Sequence, residues 1–135
     1  MLNLFGKRKI MKKNILLIED SIYSRIQIQE ILSIYPELEV IVKKSAEEAI
    51  SYIKRSSKNI DLFLMDIGLP KMNGIDCLKY IKKYFKKYNS TPVIAITAHV
   101  MTTEIDLYLQ SGFNTIITKP YEINQLRNAI FNELK

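Results

Sequence analysis

The sequence has no tryptophan, one cysteine and one histidine. A lone Cys77 cannot close an internal disulfide, and no Cys/His spacing of a structural zinc site is present. This cysteine usage fits a reducing compartment, so the expected location is cytoplasmic. No apolar run approaches the ~20 residues needed to span a bilayer. Residues 1–13 show a short, broken apolar start without a small-residue cleavage site, which speaks against a signal peptide. No low-complexity linker divides the chain, and 135 residues leave no room for a second domain. Acidic residues are missing altogether before Glu19. Lys7, Arg8, Lys9, Lys12 and Lys13 therefore account for most of the net charge of +6, which is local rather than global. Residues 1–13 read as a basic tail or a cloning remnant, or as a weak anionic-surface contact helped by Leu2, Leu4 and Phe5. Met11 is an alternative natural start.

What remains is a globular chain, 47% hydrophobic and 25% charged, which is enough for a packed core. Its organising stretch is Leu62 to Pro70. Four apolar residues run into Asp66, and a Gly and a Pro follow almost at once. An apolar run bounded by turn residues reads as a buried strand with Asp66 at its C-terminal tip. Asn14 to Ile18 is a similar strand ending in Glu19 and Asp20. Strands are also expected at Leu38–Val42, Pro92–Thr97 and Thr115–Thr118, the last followed by Lys119 and Pro120.

Helices alternate with these strands. Ser21 is the expected N-cap of the first, running to about Tyr35 with Ile22, Ile26, Gln29 and Leu32 or Ser33 on one stripe. Ser45 and Glu48 form a capping box for the second, with Ala46, Ala49, Ile50 and Ile53 inward. The third runs from Ile75 to about Tyr88 on a stripe of Ile75, Leu78, Ile81 and Phe85, with Cys77 beside it and partly buried. Lys79, Lys82, Lys83, Lys86 and Lys87 lie on its remaining faces with Tyr80, Tyr84 and Tyr88. Such lysines describe the wet side of an amphipathic helix, and direct nucleic-acid binding is not expected. Thr102 or Thr103 caps the fourth helix, where Met101, Ile105, Tyr108 and Leu109 share a stripe and Leu107 points away. Gly112 ends that helix, and Asn124 caps the last, with Leu126, Ile130 and Leu134 inward.

Five strand–helix repeats with short connections predict an α/β fold, a flavodoxin-like (βα)5 three-layer sandwich over a parallel five-stranded sheet of order 2-1-3-4-5. In such a sheet the strand ends share one rim. Glu19, Asp20 and Asp66 then converge, and three carboxylates at close range call for a cation. Mg²⁺ suits oxygen ligands and a phosphate. Asp66 reads as a nucleophile toward phosphate, Lys119 as a neutralising charge and the Thr97 hydroxyl as a donor to a phosphoryl oxygen. Lys119–Pro120 is a candidate cis peptide that aims the ammonium inward.

Glu19-Asp20, Asp66, the turn at Leu69-Pro70 and Asn73-Gly74, Thr97-Ala98 and Lys119-Pro120, in this order, resemble the receiver domain of two-component response regulators over residues 14–135. Pro92 to Met101 is most similar to receivers of hybrid histidine kinases or single-domain regulators. The resemblance implies a cytoplasmic switch that catalyses only its own phosphorylation and dephosphorylation. A sensor histidine kinase or histidine phosphotransfer protein would supply the phosphoryl group to Asp66. Mg²⁺ would sit at Asp20, Asp66 and the Gly68 carbonyl, with Glu19 acting mainly through water. Partner or homodimer contacts would use helix four, strand five and helix five, where Leu107 is the candidate residue. His99, two positions past Thr97, is either a loop histidine without a special role or a residue that influences how fast water reaches the acyl phosphate. One departure stands out. The family commonly carries Tyr or Phe three residues before the lysine, and here that position is Ile116, so the switch uses another residue or its output is muted. Two other readings compete, an enzyme and a binding module that is either an adaptor or a flavin binder. A haloacid-dehalogenase-type phosphatase needs a second Asp two residues after the nucleophile, where this chain has Gly68. A phosphorylation-independent adaptor would not need the intact acidic pair and lysine, and a flavin binder would need a phosphate loop after strand one.

Overall fold

The computed structural model describes residues 2, 4–6, 11–98 and 102–135. Among these, five strands alternate with five helices: β1 (Lys13–Ile18), α1 (Ile22–Leu32), β2 (Leu38–Lys43), α2 (Ala46–Arg55), β3 (Leu62–Asp66), α3 (Gly74–Tyr84), β4 (Val93–Thr97), α4 (Thr102–Gln110), β5 (Thr115–Thr118) and α5 (Ile123–Glu133). All strands pair in parallel in the order β2-β1-β3-β4-β5, the flavodoxin-like α/β arrangement the sequence predicts.

The central strands are apolar without a break because both faces are covered. Side chains alternate along a strand, so Ile15 and Leu17 face one layer while Leu16 and Ile18 face the other. The first core joins Ile15, Leu17, Leu62, Leu64, Ile94 and Ile96 to α1 and α5. The second joins Leu16, Ile18, Phe63, Met65 and Ala95 to α2, α3 and α4.

Helix α2 follows its sequence closely. Ala46, Ala49, Ile50 and Ile53 are buried, and the Ser45 hydroxyl accepts from Glu48 N at 3.1 Å. The reciprocal bond differs by one residue, because Glu48 accepts from Lys44 N rather than Ser45 N. Helix α1 departs further from expectation. It ends at Leu32, and its inward residues are Ile28 and Leu32, while Ile22 is 56% and Ile26 47% exposed. Apolar residues occur all round this helix, so periodicity alone does not choose a face. Burial of Ile28 and Leu32, worth about 1.5–3 kcal/mol each, sets its rotation.

Helix α3 stops at Tyr84, and a 3₁₀ turn at Lys86–Tyr88 follows. Beyond Phe85 helical spacing no longer applies, so Tyr88 turns inward and its hydroxyl accepts from Ile60 N at 3.3 Å. Lys82 is not simply solvated either, since its ammonium donates to the carbonyls of Tyr88 and Asn89 at 3.1 and 2.8 Å. Cys77 is fully buried, not partly. On α4, Tyr108 is buried but Ile105 and Leu109 are exposed along with Leu107. Thr102 and Thr103 are already helical, so the cap position before them lies outside the described residues. Gly112 takes φ +111° after α4, as a left-handed helix stop requires. The last helix is preceded by Glu122 as N-cap, with Asn124 inside its first turn.

Candidate functional site

Strand register brings the site residues to one rim. Ile18 pairs with Met65, so Glu19 and Asp66 emerge from adjacent strands. Asp66 pairs with Ile96, which sets Thr97 one residue further along β4, and Thr97 pairs with Thr118, which sets Lys119 just past β5. Lys119 N donates to Thr97 O at 2.8 Å, and the Lys119–Pro120 bond is cis.

The loop after β3 is held tightly. Gly68 N donates to Asp66 Oδ1 at 3.0 Å, and Gly74 N donates to Ile67 O at 2.9 Å. A β-carbon on Gly74 would lie 2.5 Å from the Asp66 carbonyl oxygen and 2.7 Å from Ile67 Cα. Only glycine allows α3 to begin this close to the strand tip. Asn73 caps the helix by accepting from Asp76 N at 2.9 Å.

One carboxylate oxygen from each of Glu19, Asp20 and Asp66 lies within 4.8 Å of the others. Glu19 is 1% exposed and Asp66 is buried, while Asp20 is exposed. The Lys119 ammonium pairs with Glu19 Oε1. Ser21 N donates to Glu19 Oε2 at 3.2 Å.

These contacts split the two buried acids. Burial raises the pKa of Glu19, but hydrogen bonds from Lys119, Asp66 and Ser21 N, with the Lys119 charge, outweigh it and leave the group below its ordinary value. Asp66 is pushed up to about 7, first by burial and then by the Glu19 charge and the hydrogen bond shared with it. Gly68 N–H and Lys119 oppose that rise. The acid that opens onto the crevice is thus the one that resists ionising alone.

A crevice of about 360 Å³ lies over this rim, lined by Asp66, Gly68, Thr97, Glu104, Tyr108 and Lys119 among others. A larger groove of about 790 Å³ runs along α2 past Lys43, Tyr52 and Arg55. The acidic cluster of the rim is absent from that groove's lining, so the chemistry belongs to the smaller crevice.

Several residues here are invisible to motif reading. Arg25 donates to the carbonyls of Glu19 and Asp20 at 3.0 and 2.8 Å and so fixes the backbone of the acidic pair. Tyr108 donates to Glu104 Oε2 at 3.3 Å at the α4 wall of the crevice. The Tyr121 hydroxyl is buried without a hydrogen-bond partner among the described residues. Helical spacing places Arg25 over the loop before its helix, which is the one signal the sequence offers for it. His99 lies outside the described residues. Leu107, 51% exposed, stands on the outer side of α4. Ile116 is half-buried and lines a groove of about 360 Å³ with Ile105, Leu109 and Thr118.

The donor set fits a hard divalent ion. It consists of carboxylate oxygens alone, two of them buried as like charges, and such a cluster is relieved either by a proton on Asp66 or by a cation.

Fold and rim together define a doubly wound α/β domain with a carboxylate-lined crevice at its switch point. The family model described as the response regulator receiver domain matches residues 15–131, and the chain belongs to that family. The chain is 33% identical over 125 residues to hybrid signal transduction histidine kinase M of Dictyostelium discoideum, covering 88% of this chain and 5% of the relative. It is 32% identical over 112 residues to the heme response regulator HssR of Staphylococcus saprophyticus, covering 81% of this chain and 47% of the relative. The chain thus spans from a small fraction to about half of these curated relatives. Among solved structures, it is similar to the signal receiver domain of a putative Luxo repressor protein from Vibrio parahaemolyticus, with a TM-score of 0.80, 27% identity and coverage of 92% and 91% of the two chains. The receiver domain of a sensor histidine kinase from Pseudomonas aeruginosa, with a magnesium ion coordinated in the active site cleft, shares the fold with a TM-score of 0.79 at 24% identity, covering 91% of this chain and 98% of that one. Among the described residues, no helix is long and apolar enough to cross a membrane.

Proposed function

We propose that this chain is a phospho-accepting receiver, with residues 14–135 as the switching unit, residues 1–13 as a basic tail and Asp66 as the acceptor. The observation that carries the reading is the convergence of Glu19, Asp20 and Asp66 within 4.8 Å at the rim that also bears Thr97 and Lys119. An Asp66 oxygen attacks the phosphorus of a phosphohistidine. The P–N bond breaks, its electron pair stays on the imidazole nitrogen, and an aspartyl phosphate forms. Asp20, Asp66 and the Gly68 carbonyl would hold Mg²⁺, with Glu19 acting mainly through water, and the ion would neutralise charge on the phosphoryl oxygens. Lys119 leaves Glu19 to meet the phosphoryl group, and Thr97 donates its hydroxyl to it.

The donor is a histidine kinase or a histidine phosphotransfer protein. Ile22, Tyr23 and Ile26 of α1 and Ile123 at the start of α5 are exposed beside the rim, and an apolar surface there suits a docked donor. Output or self-association uses the face of α4, β5 and α5, where Ile105, Leu107, Leu109 and Ile116 leave apolar surface open. The product is a change of binding partner, not a released metabolite, and self-phosphorylation and hydrolysis are its only chemistry. Incubation with acetyl phosphate or phosphoramidate and Mg²⁺, followed by mass measurement, tests this reading. Wild type gains one phosphoryl group and Asp66→Ala gains none. An unlabelled wild type, or equal labelling of both proteins, would overturn it.

A further inference from the structure

The charge of this domain is divided between its two edges. The carboxylates of Glu19, Asp20 and Asp66 share the rim where the strands end. The opposite edge, where the parallel strands begin and α2 and α3 finish, is basic. Lys12 and Lys13 lead into β1, Lys54 lies in the last turn of α2, and Lys58 precedes β3. Lys86 and Lys87 are carried on the 3₁₀ turn after α3, and the bond from Ile60 N to the Tyr88 hydroxyl fastens that turn beside the start of β3. All of these lysines are exposed. The acids along this edge are already engaged or lie to one side. Glu39 pairs with Lys58 at 2.6 Å, Asp61 accepts from Asn14 N at 2.7 Å, and Glu37 stands beside Lys13, whose amide its carbonyl accepts. Lys54, Lys86 and Lys87 remain as excess positive charge, unlike the interspersed signs of an ordinary wet surface.

Two further observations choose the kind of anionic partner. The Lys54 ammonium lies 5.6 Å from the Tyr80 ring centre and the Lys83 ammonium 5.2 Å from that of Tyr84, and the two rings lie against each other at 4.5 Å. A ring held between a cation and a second ring offers no face for a nucleobase to stack on. Apolar side chains accompany the charge instead. Met11, next to Lys12 and Lys13, is 71% exposed, and Leu2, Leu4 and Phe5 earlier in the same segment are exposed as well. Apolar groups beside lysines gain from entering a lipid interface, whereas a sugar–phosphate backbone gives them nothing.

We propose that the basic edge formed by the start of β1, the end of α2 and the turn after α3 is a docking surface for an anionic lipid bilayer. The lysines meet headgroup phosphates, and Met11 with the exposed apolar residues before it enters the interface. Each lysine brought to such a surface contributes about fivefold to the partition. The acidic rim lies at the far ends of the strands, so in this orientation it faces the water and its crevice stays open to a phosphoryl donor. The inference stands on the distribution of charge and does not rest on the phosphoacceptor reading of Asp66.

Sedimentation of the full chain with lipid vesicles tests the proposal. Phosphatidylcholine vesicles containing about one quarter phosphatidylglycerol carry the protein down, and vesicles of phosphatidylcholine alone do not. Raising the salt from about 0.1 to about 0.5 M releases it, because exposed charges are screened. Lys54→Glu, Lys86→Glu and Lys87→Glu together lower the partition by about thirtyfold or more. If that variant unfolds, Lys86→Gln with Lys87→Gln carries the same comparison, with a loss of about tenfold. Leu4→Ser with Phe5→Ser costs about tenfold through the apolar contact. Lys44→Glu, just past the rim end of β2, changes the partition by less than about threefold. No sedimentation with the anionic vesicles, or equal sedimentation of wild type and the lysine variants, overturns the proposal. Tighter binding to a single-stranded oligonucleotide than to the vesicles at the same salt also overturns it and makes nucleic acid the occupant.

Discussion

Helices α1 and α2 follow neighbouring strands and are of nearly equal length, yet they divide their residues differently. In α2 the apolar side chains go inward and the charged ones go out, and Glu47 and Glu48 occupy its first turn. In α1 apolar residues lie on both sides, with Ile28 and Leu32 inward and Ile22, Tyr23 and Ile26 outward, and no acid sits in its first turn. The comparison separates a helix that only closes a core from one that also faces outward beside a reactive rim. An acid-free first turn leaves the carboxylates of Glu19 and Asp20 without further negative charge next to them.

The largest effect that could break this contrast is a pH dependence confined to the α1 end. In metal-free protein, Asp66 titrates near 7 instead of its ordinary 3.8. A carboxyl whose pKa is raised by folding contributes stability below the unfolded value and loses it as pH rises through the folded one. Urea unfolding should therefore show a loss between about pH 4 and 7 on the order of a few kcal/mol, absent in Asp66→Asn and present in Glu47→Gln on α2. Saturating Mg²⁺ should reduce it. If Glu47→Gln abolished the slope, the two helix ends would not differ as described.

The next effect concerns the outer faces. Ile26→Lys on α1 should leave stability within about 0.5 kcal/mol and acetyl phosphate labelling unchanged, while slowing phosphoryl transfer from a histidine donor by about tenfold or more. The matched change Ser51→Lys on α2 should slow neither reaction. Equal rates for both variants with the protein donor would deny α1 its docking role.

The smallest effect lies in the caps. Ser21 accepts from Ser24 N, and Ser45 accepts from Glu48 N. Ser45→Ala should lower stability by about 1 kcal/mol without touching Mg²⁺ affinity. Ser21→Ala should have a similar effect on stability and also weaken Mg²⁺ binding slightly, since losing the cap to Ser24 N loosens the turn whose backbone amide holds Glu19. Calorimetry and metal titration separate the two.

What could be read in advance follows from how each residue is determined. Asp66, Thr97 and Lys119 stand at strand ends, and strand ends are marked in the sequence by apolar runs that stop. The parallel sheet then fixes their meeting place. The rotation of α1 was not legible, because Ile22, Ile26, Ile28 and Ile31 give no single stripe. Tyr88 and Cys77 were misplaced because their burial depends on where α3 ends and how closely it packs. Arg25 and Glu104 act through neighbours distant in motif terms, so only the folded chain reveals their contacts. Ile105 and Leu109 show the opposite failure: a regular stripe on α4 leaves both exposed.

The close approach of Gly74 has a practical consequence for anyone redesigning this domain. Lys79 and Lys83 on the surface of α3 can be rewritten for a new binding partner, while Lys82, which bonds the carbonyls of Tyr88 and Asn89, and Tyr80, which packs on Tyr84 and Phe85, have to stay. Its starting point cannot be moved, because adding even a methyl group there would push against the main chain of Asp66 and Ile67. Specificity and reactivity are thus hinged at one hydrogen-sized gap, and variation on one side is free only while that gap stays empty.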